Sequence, residues 1–496
     1  MRKPYRKTPP GFSLMETGYV QPKNEINQQL MNVVDICCLG VSYWIVGHGL
    51  IYGDSYGTSP FAGVGNFFFA TSEDQSGSEY STYAFELSLA ALSATIVSGA
   101  IAERVKLHVW LLYNFFSVFI YSIPAGWMWG KHGFLRKMGA VDVAGGCVVH
   151  GVGATTALIF TILLGPRNRD KQADSRGIPS ANNTLVGFYM LIWGYLGMNC
   201  GSTFGVRGTK WHHTAKAAAT TITAAMVGFS VALVVSYVVT RYRTGKGRYD
   251  VVDIVQGTLG AIVSVTEMPY FCNDSLPDID HANDACKIPH GQNKLRMSVT
   301  GGCAVISPWQ SVVIGSLACP IVLAAAELIR RAGVDDVCSV VATNGVAGIW
   351  GVLNTGIFSD TEDIGFHVSS TLKGTLYGGG GRLFGVQVLA IVCCLSWAAV
   401  TSFALLFVSL PQILHRDRND SALPLQFLDR LIGLRVSPIV ELEGLDKAVH
   451  NIVSKGEDWG FKVADLAAVT PPGRRAKSRS RSSRSRQKVR PTAITT

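Results

Sequence analysis

A histidine inside an apolar segment is the residue of this sequence best suited to chemistry. His150 lies in a run from Val143 to Leu164 that has no Asp, Glu, Lys or Arg, and Asp142 immediately precedes that run. An ionised side chain inside a membrane span costs about 2.5–3.5 kcal/mol on insertion scales, so such a residue marks a candidate functional site. The spacing predicts that both side chains share a helix face, with the histidine about 12 Å deeper. A carboxylate above an imidazole suits a small cation that must lose a proton, although a lone histidine also fits a packing residue bonded to a backbone carbonyl.

The surrounding sequence predicts a bundle of membrane-spanning helices. Of the 496 residues, 48% are hydrophobic, only 16% are charged and 53 are glycine, which indicates that the solvent of this chain is a lipid bilayer. Apolar stretches of suitable length occupy residues 32–52, 83–102, 109–129, 142–164, 181–202, 215–240, 250–266, 309–329, 337–358 and 384–410. Their many glycines and alanines let helix backbones pack closely inside a membrane. We therefore expect an all-α polytopic protein with ten spans.

Basic residues predict the orientation of the bundle. Lys and Arg fall in alternate loops, at 104–106, 167–176, 241–248, 330–331 and 416–418, whereas the loop at 53–82 has four acids and neither Lys nor Arg. Loops rich in Lys and Arg stay in the cytoplasm. Ten spans then place both termini, and the C-terminal region at 411–470, on the cytoplasmic side.

Most of the net charge of +10 belongs to the end of the chain, where nine basic residues and no acid lie between Arg474 and Arg490. We expect residues 471–496 to be disordered. They fit a solubilising tail, or a segment that binds the anionic inner leaflet until serine phosphorylation releases it. An RNA partner is disfavoured because the rest of the chain has no nucleic-acid module.

The cysteines and the acidic outer segment predict neither a metal site nor an enzyme. The 11 cysteines form no CxxC pair and mostly read as small packing residues. Residues 267–298 interrupt an outer loop, where Cys272 and Cys286 could pair beside the glycosylation sequon at Asn273. This insertion is either a functional outer loop, a dispensable one or a gene-model error. Within the spans no nucleophile and base stand at workable spacing, so we expect no enzymatic activity, metal or cofactor.

At the histidine segment the sequence begins to resemble a known family. The run DVAGGCVVH at 142–150 is similar to the fifth-span signature of the ammonium transporters. Three further motifs agree: SGAIAER at 98–104, VDD at 334–336 with NGVAG at 344–348, and LRV at 434–436 with GLD at 444–446. The resemblance covers about residues 11 to 450. It implies a homotrimer of eleven-span protomers, each built as two inverted five-helix repeats and a last helix around a central pore.

The resemblance also implies roles for four residues. Trp129 matches the tryptophan of the outer mouth, Ser202 the mouth serine, Asp142 the aspartate beneath them and His150 the first of two pore histidines. The implied scheme captures ammonium by cation–π attraction, hydrogen bonding and electrostatic support. It then passes ammonia and a separate proton along the histidines. Alone, Trp129 is also typical of an interfacial anchor and Ser202 of a packing hydroxyl, so only the joint pattern supports the assignment.

Three departures from the family pattern stand out. Asn344 occupies the place of the second pore histidine and, unlike histidine, cannot take up a proton. Leu89 and Met198 occupy the two aromatic gate positions. Residues 11–18 resemble only the cytoplasmic end of the first span, so we expect residues 1–31 to hold a remnant of that helix, through either an incomplete gene model or a ten-span variant.

These observations give one leading expectation and one alternative. The leading one is a plasma-membrane transporter of ammonium or ammonia, with methylammonium as a further candidate substrate. Residues 32–410 form its expected membrane domain. The alternative is a transport-poor sensor or regulatory subunit with the same fold. Asn344, Leu89 and Met198 favour that alternative.

Overall fold

The apolar segments fold into helices, and polar residues next to them cap the N-terminal ends of these helices. Before the helix that begins at Val251, the Asp250 carboxylate accepts the N–H of Val252 at 2.9 Å. The backbone N–H of Ser307 donates to the side chain of Gln310 at 2.6 Å, just before a helix that starts with proline. Such contacts satisfy amides that have no partner inside a helix.

The computed structural model describes residues 8–71, 76–142, 144–167, 178–203, 210–266, 307–359, 372–407, 434–450 and 452. The α-helices of these residues are α1 (Thr8–Tyr19), α2 (Glu25–Ser42), α3 (His48–Tyr52), α4 (Ser76–Ile101), α5 (Leu107–Trp129), α6 (Phe134–Met138), α7 (Val152–Leu164), α8 (Ala181–Gly201), α9 (Lys210–Thr244), α10 (Val251–Val263), α11 (Pro308–Arg331), α12 (Ala347–Phe358), α13 (Arg382–Phe407), α14 (Pro438–Glu443) and α15 (Leu445–His450). Wider π turns occupy Tyr43–Gly47, Gly146–Gly151 and Val341–Val346, and short 3-10 turns occupy Pro22–Asn24 and Thr375–Tyr377.

Seven helices of the described ranges are long and apolar enough to cross a bilayer, judged by length and composition. They are Pro22–Tyr52, Glu79–Ile101, Leu107–Met138, Gly146–Leu164, Trp211–Thr244, Pro308–Arg331 and Arg382–Leu406. The other three predicted spans also contain helix, in α8, in α10 and in the segment Val341–Phe358. The nearly all-helical, multi-pass architecture is therefore as predicted, while the count of ten spans stays a prediction.

Two broken helices face each other inside the bundle. Each consists of a π turn followed by an α-helix: Gly146–Gly151 leads into α7, and Val341–Val346 leads into α12. The two π turns contact each other, and α13 packs against both α7 and α12. Helix α1 packs along α8. At 12 residues, α1 is about 18 Å long, shorter than the hydrocarbon core of about 30 Å.

An ion-pair network ties the basic ends of these helices together. Arg167, after α7, contacts Glu103 at 2.5 Å and Asp335 at 2.8 Å, and Arg104 contacts Asp335 at 3.2 Å. Burial would raise the pKa of Asp335, but the two guanidinium groups outweigh it and hold that pKa below its usual value. Three loops, two of which carry family motifs, thus meet at one end of the bundle.

The chain segment after residue 433 packs against this same end. The N–H of Val436 donates to the carbonyl of Arg104 at 3.0 Å, and the Arg435 side chain donates to the carbonyl of Leu164 at 2.9 Å. The Asp446 carboxylate accepts the backbone N–H groups of residues 26 and 27 at 3.1 and 2.8 Å, next to the start of α2. The C-terminal motif therefore lies on the face that the basic loops occupy.

Several predicted features lie outside the described residues. They are the insertion at 267–298 with its sequon and its two cysteines, and the tail at 471–496. The eight cysteines of the described ranges form no disulfide, and most of them are buried or half-buried.

Candidate functional site

His150 is held on a π turn whose first amides are capped by Asp142. The Asp142 carboxylate accepts four successive backbone N–H groups, those of residues 145–148, at 2.7–2.9 Å. Gly145 has a φ of +90°, a conformation that suits glycine. The N–H of His150 donates to the carbonyl of Gly145, five residues earlier, at 2.8 Å. The carboxylate of Asp142 therefore stabilises the turn that aims the imidazole.

The predicted common helix face of Asp142 and His150 is not what the structure has. The helical segment begins at Gly146, so Asp142 precedes it. Its side chain turns back to bind the free amides at the helix start, where negative charge is favoured. Asp142 is only 2% exposed, so its carboxylate is enclosed by the protein.

Asn344 stands on an equivalent turn that enters from the other half of the chain. Its π turn is capped by Asp336, whose carboxylate accepts the N–H of Val341 at 2.8 Å. Each aspartate precedes its pore residue by the same spacing, Asp142 before His150 and Asp336 before Asn344. This repeated spacing is the sequence signal that relates the two turns, and it was missed among the motifs.

The two pore residues contact each other directly. Nδ1 of His150 lies 3.0 Å from Oδ1 of Asn344, and the two residues are 0% and 2% exposed. With the amide oxygen facing it, Nδ1 carries the proton and donates. Nε2 is then the acceptor of the ring, and it is buried without a hydrogen-bond partner among the described residues. The imidazole thus presents an unused lone pair inside the protein.

A glycine permits this contact between the turns. A Cβ placed on Gly348 would lie 2.3 Å from the carbonyl oxygen of Gly146 and 3.3 Å from Cβ of His150. The first distance is too short for any real Cβ, so a side chain at this position would force the two turns apart.

Helix α8 connects the pore residues with the mouth. The ring of Tyr195 stacks on the imidazole of His150, with centroids 5.8 Å apart and planes 24° from parallel. Met198 and Ser202 follow at i+3 and i+7, which places all three on nearly one helix face. Ser202 ends α8, about 10 Å further out along the axis than Tyr195, and its hydroxyl donates to the carbonyl of Met198 at 3.0 Å. Tyr195 was not singled out from the sequence, although this spacing pointed to it.

Trp129, which the family resemblance assigns to the outer mouth, lies beside the segment that carries Asp142. Its indole N–H donates to the backbone carbonyl of Asp142, and its ring meets that of Tyr121 edge-on at 6.4 Å. The carbonyl of Trp129 accepts from the Arg136 side chain at 2.9 Å. The indole is 1% exposed, so it is fixed within the protein.

The two predicted gate positions are buried and aliphatic. Leu89 is 1% exposed and Met198 is 3% exposed, and both belong to the main hydrophobic core. An aromatic ring nevertheless lies close to these positions, since Phe85 stands one turn before Leu89 on α4. A Cβ on Gly201 would lie 2.7 Å from the Phe85 ring, which therefore packs beside the position of Ser202. Phe85 was missed from the sequence because only the expected gate position was considered.

A small cavity lies next to Asn344. It measures about 10 Å³, near the minimum for one water, and Tyr195, Thr343 and Asn344 line it together with Tyr19 and Gln256. The Oγ1 atom of Thr343 is buried without a hydrogen-bond partner in the described ranges. These polar groups border the pore residues on the side of α1 and α10. Across the described residues, no group of His, Cys, Asp and Glu could hold a metal ion.

Known proteins resemble this chain in sequence and in fold. The profile of the Ammonium Transporter Family matches residues 7–271 and 297–414. "Putative ammonium transporter 3" of Caenorhabditis elegans is 33% identical over 89% of this chain, which spans 57% of that relative. Ammonium transporter Amt2 of Archaeoglobus fulgidus is 30% identical over 90% of this chain and 84% of its own length.

Solved structures show the same fold. A "Sensor Amt Protein" superposes with a TM-score of 0.67 and 23% identity, covering 90% of this chain and 95% of its own. Mep2 of Candida albicans superposes with a TM-score of 0.64 and 20% identity, covering 84% of this chain and 83% of its own. On the strength of the family profile and of these relatives, this chain belongs to the ammonium transporter family, whose members are membrane transport proteins rather than enzymes.

Proposed function

We propose that this chain moves ammonium across a membrane, releasing a proton at the outer mouth and passing ammonia beside His150. One observation carries the proposal: the buried imidazole and the Asn344 amide meet at 3.0 Å between two aspartate-capped turns, below Trp129 and next to a polar cavity. A path of this kind suits a solute that is small, polar and able to become neutral.

The energetics favour deprotonation before entry. Removing a proton from an amine with a pKa near 10 at pH 7 costs about 4 kcal/mol. Burying an isolated cation in a low-dielectric interior costs tens of kcal/mol. A pore that accepts ammonia therefore has the lower barrier, and the Nε2 lone pair of His150 can accept one N–H of ammonia.

Each residue of the mouth has a different role in binding ammonium. The Trp129 ring offers a π face to a cation, and the Ser202 hydroxyl lies at the end of α8 on the same route. Asp142 contributes negative charge, while its oxygens hold the turn below. Leu89 and Met198, at the gate positions below the mouth, exclude water but have no aromatic ring that could bind a cation.

Asn344 sets the expected charge of the transported species. A carboxamide can fix the tautomer of His150 and bond to ammonia or water, but it cannot relay a proton. We therefore expect neutral ammonia flux with little current.

The setting of the site follows from the same reasoning. The basic loops and the C-terminal motif share one face of the bundle, and the positive-inside rule makes that face cytoplasmic. A homotrimer in the plasma membrane, which the family resemblance implies, completes the proposal. Methylammonium is the expected alternative substrate.

Expression in cells that lack their own ammonium transporters tests the proposal. We expect growth on low ammonium, with little ammonium-evoked current. His150→Ala should lower uptake at an equal amount of protein at the cell surface. Neither growth nor current at normal surface level would refute transport and favour the sensor alternative. A large current would instead contradict the neutral mechanism.

A further inference from the structure

A second ionisable group lies inside the outer half of the bundle, away from His150. Glu86 on α4 is 1% exposed, and its Oε2 atom is buried without a hydrogen-bond partner among the described residues. A buried carboxyl group inside a membrane protein is costly to ionise, and such a group indicates a functional site.

Three tyrosines interact with this carboxyl group. The phenol of Tyr52 hydrogen-bonds to Glu86, and Tyr43 and Tyr121 interact with it electrostatically. The hydroxyls of Tyr43 and Tyr121 are also buried without a hydrogen-bond partner in the described part of the chain. A carboxylate with several phenols offers negative charge, oxygen acceptors and π faces, which together suit a small ammonium-type cation.

His48 borders the same cluster. Its ring centroid lies 5.1 Å from that of Tyr52 and 6.3 Å from that of Tyr43, and its Nδ1 atom is buried without a partner among the described residues. The titratable groups of this cluster besides Glu86 are His48, Tyr43 and Tyr52 from the segment 43–52, Tyr83 from α4 and Tyr121 from α5. Asp142 also interacts electrostatically with Tyr121 of this cluster.

The cluster is continuous with the mouth. The ring of Tyr121 touches that of Trp129 edge-on at 6.4 Å. Along α4, Glu86 lies three residues before Leu89, about 4.5 Å further out. A cation that leaves Trp129 can therefore meet Glu86 before it reaches the aliphatic gate level.

We infer that Glu86, with the phenols of Tyr43, Tyr52 and Tyr121, binds ammonium in the outer half of the bundle and accepts its proton. An N–H bond of ammonium breaks and an O–H bond forms on Glu86, which leaves neutral ammonia and a carboxylic acid. The acid returns the proton to the outer solution, so no net charge crosses the membrane. This inference rests on the proposed function and identifies the proton acceptor that Asn344 cannot be.

Uptake of radiolabelled methylammonium by cells that express the full chain tests the inference. Glu86→Gln removes the acceptor, and Glu79→Gln removes a carboxylate from the same helix about 10 Å further out. We expect Glu86→Gln to raise the half-saturating concentration about tenfold, as for loss of one bond to a charged group. It should also flatten the dependence of uptake on external pH. Glu79→Gln should keep both properties of the unaltered chain.

The outcomes separate this inference from the proposed function. Normal affinity and pH profile in Glu86→Gln, in a chain that transports, would overturn the inference alone. If the unaltered chain does not transport, equilibrium dialysis of labelled methylammonium against the purified protein tests the site directly, and equal binding by both forms would overturn it. Should Glu86→Gln fail to reach the membrane, Tyr121→Phe removes only a hydroxyl and must shift affinity in the same direction, or the inference fails.

Discussion

Gly348→Ala should inactivate the pore by separating the two π turns. The new Cβ would lie 2.3 Å from the carbonyl oxygen of Gly146, and this contact must lengthen to at least 3.0 Å. The required shift is about 0.7 Å, and it acts on the turn next to Asn344. A movement of this size carries the 3.0 Å contact between His150 and Asn344 beyond hydrogen-bond distance.

Losing that contact leaves a buried donor unsatisfied. The cost is about 1–3 kcal/mol, and about 1.4 kcal/mol corresponds to a factor of ten. We therefore expect uptake by Gly348→Ala to fall about tenfold, or the amount of folded protein to fall instead. Because the backbone carbonyl of Gly146 is not the end of a flexible side chain, local rotation cannot relieve the contact.

A matched substitution controls for the change from glycine to alanine. Gly385, on α13, has no atom within 4 Å of the position that its Cβ would take. Alanine there should leave uptake unchanged and stabilise the helix by up to about 1 kcal/mol. Uptake and surface labelling are measured for both variants in the same cells. Unaltered uptake by Gly348→Ala at equal surface level would refute the close approach on which the site depends.

Three other perturbations test the parts of the site separately. Asn344→His supplies a second proton carrier, so ammonium-evoked current should rise; an unchanged current would show that a titratable group at this position is not sufficient for proton transfer. Asp142→Asn weakens four hydrogen bonds to a charged acceptor, and each lost bond should cost at most about 1.5–3 kcal/mol of stability. The thermal midpoint in detergent should therefore fall; an unchanged midpoint would show that the cap contributes little. Arg167→Ala removes the ion-pair partner of Glu103 and one partner of Asp335, and should lower the free energy of unfolding by about 3–5 kcal/mol. Because the pKa of Asp335 is lowered in the folded state, this stabilisation is present at neutral pH and disappears as the pH falls through that pKa, so wild type and variant should converge in acid.

The sequence predicted the fold well where one physical signal dominated. Apolar runs and small residues were sufficient for the helices, because a membrane leaves few alternatives to helical segments. The polar contacts that tie the ends together were less accessible. Glu103 and Asp335 are 232 positions apart in the sequence, and only the fold brings both to Arg167.

The site was predicted in its composition but not in its local geometry. His150 and Asn344 were paired from motifs, and the structure places them in contact. The expectation for Asp142 failed because a regular helix was assumed through glycines that instead form a π turn, and such turns are frequent at functional sites. Glu86 was overlooked because it falls inside a span next to residues chosen by family spacing, whereas its burial without a partner is a property of the folded chain.

The repeated cap explains how the fold accommodates asparagine at the position where the family resemblance implies a second histidine. Asp142 and Asp336 each hold a turn through backbone amides, and those amides do not depend on which side chain stands at the pore position. The scaffold therefore tolerates asparagine at 344, provided that its amide still fixes the Nδ1 proton of His150. Reach and hydrogen bonding are retained at this position, and titration is lost. We therefore expect pore geometry and proton route to be separable in this fold, so that a change at position 344 alters the charge carried without rebuilding the path for ammonia.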